Sequence, residues 1–290
     1  MAEPLRTAVI IIPHHNDTRR LGHCLAALAP QLTPNIGLLV VDNGSTETLD
    51  PIRAAHTDLR IVIEPLKGAA SARNRGVVET TAPYLFFLDC DCVPAPDWVA
   101  TALRLMDLGS IVGGNITVFD ETPPPRNGAQ AFEAVFAFDN RGYIEQQAFS
   151  VTANLLTRRD VFVDVGPFRH GVSEDLDWCH RARQKGYRLA YADALRVGHP
   201  SRSDWPALRR KWARVTAELF LVNGTTPVAR LRWLAKALTM PISILIHAPK
   251  VIQHPALRGP RERIAGLGTL ARLRLLRASW MLRQVMGLPI

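Results

Sequence analysis

Three short runs of uninterrupted apolar residues constrain this chain most: "AVIIIP" at 8–13, the start of "IGLLVVDNGS" at 36–45, and the start of "YLFFLDCDCVP" at 84–94. None alternates apolar with polar, so each reads as a strand buried on both faces, and such strands belong to parallel sheets covered by helices. The covering helices are legible between them. Asp17 or Thr18 can cap a helix whose apolar positions Leu21, Cys24, Leu25 and Leu28 recur at helical spacing. "DLRIVIEP" at 58–65 reads as a further strand and "ASARNRGVVETT" at 70–81 as a helix. The pattern is an α/β fold, a mostly parallel sheet flanked by helices. Ligands of such sheets bind beyond the carboxyl ends of the strands, so His14, Asp42, Asp89 and Asp91 are expected on one rim.

A second stretch runs from "SIVGGNITVF" (110–119) through the polar loop "DETPPPRNG" (120–128) to "GHPSRSDWP" (198–206). Its clearest helix is "SEDLDWCHRARQKG" (173–186), with Ser173 as N-cap, acids in the first turn, bases later and Gly186 as the stop. Charge divides the chain further on. From Pro206 to Ile290 there are fifteen Lys or Arg against two Asp or Glu, a net of +13; the preceding 205 residues carry 20 against 24, a net of −4. A near-neutral body with a basic tail points to an anionic partner. The expected domains are therefore 1–205, in two halves at 1–109 and 110–205, and a basic amphipathic helical tail at 206–290.

The four cysteines, Cys24, Cys90, Cys92 and Cys179, form no disulfide framework or zinc pattern, which fits reduced thiols in a cytoplasmic compartment. The apolar run before Pro13 is too short for a signal-peptide core. "ALTMPISILIHAP" (237–249) falls short of the roughly 20 apolar residues of a bilayer span. A peripheral position on the inner face of the cytoplasmic membrane is expected.

Asp89 and Asp91 lie two apart, so in an extended chain they share a face, where two carboxylates repel unless a cation relieves them. A divalent ion held by one or two carboxylates plus substrate phosphates would do so. A bare D-x-D is usually a solvated turn, and only context changes that. Asp42 ends an earlier strand, where it can accept hydrogen bonds from a base or ribose. "KGAASARNRG" (67–76) places Lys67, Arg73 and Arg75 about a small-residue helix start that suits a pyrophosphate.

The order "VIIIPHHND", "LLVVDNGSTE", "GAASARNRG", "LFFLDCDCVP", "NLLTRRDVFVDVGPF", "SEDLDWCHRARQKGYRL", "GHPS" resembles the family 2 glycosyltransferases of the GT-A fold over residues 7–203. The resemblance implies a nucleotide-diphosphate sugar donor, a divalent cation (Mn²⁺ or Mg²⁺) and inversion at the anomeric carbon. It assigns Pro13, Asn16 and Asp42 to the nucleoside, Arg73 and Asn74 to the ribose and diphosphate, Asp89 to the donor sugar or ribose, and Asn154 to the donor sugar. Asp91 and His199 become the metal ligands and Asp175 the general base. Glu174 and Trp178 lie on the acceptor side, Trp178 as an apolar wall beside Asp175. His14 and His15 receive no role. Leu208 and Lys211 replace the Gln and Arg of the Gln-x-x-Arg-Trp motif of processive synthases, which favours transfer of one sugar at a time to a saccharide or lipid-linked acceptor in polysaccharide or glycoconjugate synthesis.

Other classes make different demands. A nucleic-acid-binding protein using the +13 tail would bind salt-dependently without Asp91 or Asp175; no reading motif is present and no nucleic acid is expected. A sugar nucleotidyltransferase would carry a Gly-rich loop after the first strand, where this chain has "PHHNDTRR". Basic amphipathic helices suit an anionic membrane surface, and equally a helical subdomain that closes the acceptor site.

Overall fold

The computed structural model describes residues 6–57 and 59–290. In chain order the first elements are β1 (Ala8–His14), α1 (Thr18–Leu28), β2 (Ile36–Asp42), α2 (Asp50–Ala55), β3 (Arg60–Ile63), α3 (Ala69–Val78) and β4 (Tyr84–Leu88). Next come β5 (Val93–Pro94), α4 (Trp98–Leu105), β6 (Ile111–Phe119), α5 (Gly128–Phe136), α6 (Asn140–Gln147), β7 (Asn154–Arg158), α7 (Arg159–Val165), α8 (Glu174–Gln184) and β8 (Leu189–Pro200). Four helices follow: α9 (Trp205–Asn223), α10 (Pro227–Thr239), α11 (Ile242–Gln253) and α12 (Gly259–Val285).

The sheet order is β3-β2-β1-β4-β7-β6-β8-β5. Strands β3, β2, β1 and β4 run parallel, while β7 pairs antiparallel with both β4 and β6, and β5 with β8. The unbroken apolar strands sit where expected: β1 lies between β2 and β4, and Ile10, Ile11 and Ile12 are fully buried. The helix α3 packs closely on this sheet because Gly76 carries no side chain; a Cβ there would stand 2.4 Å from Ile11 Cγ2. Phe87, Phe162, Phe168 and Trp178 form an aromatic cluster under the sheet with ring centroids 5.3–6.0 Å apart.

The chain divides into two compact units. The first runs to Thr117 and adds Asp139–His170 and Glu174–His199; the second comprises Val118–Phe138, Gly171–Ser173 and Pro200–Ile290. Residues 118–138, grouped by sequence with the half at 110–205, thus join the C-terminal helices. Helix α5, closed at its start by a reciprocal Asn127–Gln130 capping box, buries Ala131 and Phe132 with Leu208, Val251, Leu270 and Leu273. Its Glu133 is buried between Arg202 Nη1 at 3.1 Å and Lys211 Nζ at 2.9 Å. Lys211, in place of the processive motif's Arg, therefore serves the packing of this second unit. Among the described residues no helix is long and apolar enough to cross a membrane.

Candidate active site

The site is assembled in the first unit at the carboxyl ends of β1, β2 and β4. His14 and Asp42 are register partners at the ends of β1 and β2, and His14 Nδ1 lies 3.1 Å from Asp42 Oδ1. The Asp17 N–H donates to His14 Nε2 at 3.2 Å, so Nδ1 is the nitrogen that carries a proton toward Asp42. Ser45 Oγ donates to Asp42 Oδ1 at 2.5 Å. Burial pushes the Asp42 carboxyl up, but the Ser45 and His14 hydrogen bonds outweigh it and hold the group below its ordinary value. Asp42 is an ionised acceptor at the rim, and His14, to which the sequence assigned nothing, holds it.

Asn16 stands in the left-handed region, φ +50°, and its Oδ1 accepts from the Thr46 and Glu47 N–H groups at 2.7 and 3.2 Å. It fastens the loop after β1 to the loop after β2, so its amide oxygen shapes the rim. Pro13, half-buried in β1, pairs with Val41 just short of it.

Arg73 is the hub. Only 3% exposed on α3, it reaches Asp89 Oδ1 with Nη2 at 2.6 Å and Glu174 Oε1 with Nη1 at 2.8 Å. Burial alone pushes this guanidinium toward neutrality, yet Asp89 and Glu174 outweigh it and hold its pKa above the ordinary arginine value. The fork ties α3, the exit of β4 and the first turn of α8 together. Glu174, expected on the acceptor side, is thus committed to Arg73, and the adjacent Asp175 is half-buried with its Oδ1 accepting from the Leu176 N–H at 2.8 Å.

Two residues beyond Asp89, Asp91 Oδ2 lies 3.3 Å from His199 Nε2 near the end of β8. Two donors bound at right angles to an octahedral cation at about 2.1 Å are themselves about 3 Å apart, so this pair suits adjacent ligands of a Mg²⁺- or Mn²⁺-like ion. Among the described residues no group of three or more His, Cys, Asp or Glu could hold a metal, so further ligands would come from substrate and water. The flanking thiols of Cys90 and Cys92 are soft donors that suit a hard Mg²⁺- or Mn²⁺-like ion poorly, and Cys92 is fully buried.

Three residues assigned to donor or acceptor make contacts within the protein. Trp178 is fully buried, stacked on Phe162 with its Nε1 donating to the Gly166 carbonyl at 2.9 Å, so it is core and not a wall beside Asp175. The Asn74 amide is spent on the Phe168 backbone, donating and accepting at 2.9 Å. Asn154 is fully buried: its Nδ2 donates to the Asn115 and Leu195 carbonyls and its Oδ1 accepts from Trp98 Nε1. Asn154 is thus committed inside the core, whereas the half-buried Asn74 keeps one N–H and one oxygen lone pair beyond its bonds to Phe168.

This order of strands, with carboxylates at the rim of the parallel half, defines a GT-A transferase fold. The chain belongs to glycosyl transferase family 2, whose model matches residues 9–170. It is 33% identical to glycosyltransferase AglE of Haloferax volcanii over 226 residues, 73% of each chain. It is 27% identical to the pre-mycofactocin glycosyltransferase of Mycobacterium tuberculosis over 231 residues, 74% of this chain and 47% of that protein. Among solved structures it resembles the mannosyltransferase PcManGT of Pyrobaculum calidifontis in complex with GDP-Man and Mn²⁺, at TM-score 0.55 and 18% identity over 98% of this chain and 76% of that one. It also resembles S. aureus TarS 1–349 in complex with UDP-GlcNAc, at TM-score 0.56 and 13% identity over 97% of this chain and 92% of that one.

Proposed function

We propose that this glycosyltransferase moves a single sugar from a nucleoside-diphosphate sugar to a saccharide or lipid-linked acceptor, with inversion, in glycoconjugate synthesis at an anionic membrane face. The observation that carries the reading is the Arg73 fork. By binding Asp89 and Glu174 it brings the turn that bears Asp175 beside the strand exit that bears Asp91.

The nucleoside lies at the ends of β1 and β2, where Pro13, the Asn16-fastened loop and the ionised Asp42 offer acceptors for base and ribose. Asp89, whose side chain is 29% exposed while bound to Arg73, accepts from a donor hydroxyl as well. Asp91 and His199 would hold a divalent cation, which when bound neutralises charge growing on the leaving diphosphate. Asp175 takes the proton of the acceptor hydroxyl; that oxygen forms its bond to the anomeric carbon from the face opposite the diphosphate, and the broken C–O pair departs with the diphosphate. Glu174, held by Arg73, fixes the helix turn from which Asp175 acts.

Asp175→Asn tests this assignment. Donor binding, followed by calorimetry, should stay within about twofold of the parent, while transfer of the sugar to acceptor, read as nucleoside diphosphate released, should fall by about 10²–10⁴. Unchanged turnover would remove Asp175 from the reaction.

A further inference from the structure

The C-terminal helices carry an exposed apolar surface outside the residues assigned to sugar transfer. Helix α10 turns Trp233 and Ala237 inward against Met281 of α12, and α11 turns Val251 into the core with Leu270 and α5. Their other faces are aliphatic and lie in solvent: Leu231 and Leu238 on α10 are 66% and 62% exposed, and Ile242, Leu245 and Ile246 on α11 are 58%, 77% and 70% exposed. Leu245 and Ile246 follow Ile242 by three and four residues, and the exposed Ile252 follows Leu245 by seven, so the four share about a third of the helix circumference, opposite Val251. A contiguous exposed stripe of this kind marks an interaction surface.

Charge decides what covers it. From Leu219 to Ile290 the sole carboxylate side chain is Glu262, and it is 1% exposed, accepting from the Arg126 and Arg258 backbone N–H groups. Arg232, Lys236, Lys250, Arg258 and Arg261 are all exposed. A second copy docked on this stripe would set cations against cations with no acid to pair them. An acidic lipid surface would instead meet the cations with phosphate and the aliphatic stripe with acyl chain.

We propose that α10 and α11 lie in the headgroup layer of an anionic membrane, inserting Leu238, Ile242, Leu245 and Ile246, with Lys236 and Lys250 on lipid phosphate. This deepens, and for its purpose rests on, the reading of a membrane-held acceptor. The position is in the plane of the interface, consistent with the absence of a spanning helix among the described residues.

The test is cosedimentation of the full chain with vesicles of phosphatidylcholine alone and of phosphatidylcholine mixed with phosphatidylglycerol. Binding is expected to the mixed vesicles, weakened by salt. The double variant Leu245→Glu, Ile246→Glu, altered only at exposed positions, should bind at least about 30-fold more weakly, about 2 kcal/mol. Equal binding to both vesicle types, binding unchanged by the double variant, or a protein dimer that the double variant dissociates would each overturn the proposal. Donor binding measured on the same samples reports the sugar-nucleotide site separately, so either reading can fail alone.

Discussion

Replacing Arg73 by Met tests whether the fork holds the site together. The side chain is 4% exposed and bridges two carboxylates whose side chains are 29% and 20% exposed. Breaking a buried pair from one side costs about 3–5 kcal/mol, because the abandoned charges lose their partner. Partial solvent access to Asp89 and Glu174 moves the cost to the lower end of that range. Met also removes the buried Nε donor, which has no acceptor here, and so recovers about 1 kcal/mol. The expected loss is about 2–3 kcal/mol, which for a chain of this size lowers Tm by about 4–12 °C. Adding Glu174→Gln should restore part of it, since one stranded charge is then gone. The assay is thermal unfolding of the wild type, the two single variants and the double variant. A fall in Tm below about 1 °C, or strictly additive losses, would refute the fork as the element that couples α3, β4 and α8.

Other expectations follow from single contacts. The lowered pKa of Asp42 means that its contribution to stability is complete above the ordinary 3.8 and is lost as pH falls through the lower folded-state value. The stability difference between wild type and Asp42→Asn should therefore be constant above about pH 5 and shrink in acid, as read by denaturant titrations at a series of pH values; a difference that grows in acid would reverse the sign. Gly76→Ala should cost about 1–3 kcal/mol in the same titrations, because its methyl would fall 2.4 Å from Ile11 Cγ2; a neutral result would mean that α3 can lift from the sheet without penalty.

Much of this architecture is legible because burial imposes composition. A strand covered on both faces must be apolar throughout, so β1, β2 and β4 stand out, and turn residues after them disclose the rim. The α8 helix was readable from its acidic first turn and from Gly186, which adopts φ +89° beyond its end. Side-chain destinations were less legible. Helical spacing puts Asp175 and Trp178 on neighbouring positions, but it does not say that Trp178 meets Phe162 and Phe168, residues joined only by the fold. Asn74 and Asn154 look like ligand-binding amides in a sequence because the same donors and acceptors serve the backbone, and their partners lie far along the chain. His14 had a detectable signal: it ends β1 as Asp42 ends β2, and parallel register sets them side by side. The grouping of residues 118–138 with the C-terminal helices rests on α5 packing with Leu208, Val251, Leu270 and Leu273 and on Glu133 meeting Arg202 and Lys211, long-range pairings no local pattern announces.

The central claim is that Asp91 and His199 serve a nucleotide-sugar site through a divalent cation. Its most direct measurement is calorimetric titration of UDP-, GDP- and dTDP-sugars into the wild type and Asp91→Ala, each with Mn²⁺, with Mg²⁺ and with EDTA. One nucleotide class should bind the wild type with metal, and EDTA or Asp91→Ala should weaken this binding at least about tenfold, the equivalent of about 1.4 kcal/mol. Binding of equal strength in EDTA, or in Asp91→Ala with metal present, would contradict it.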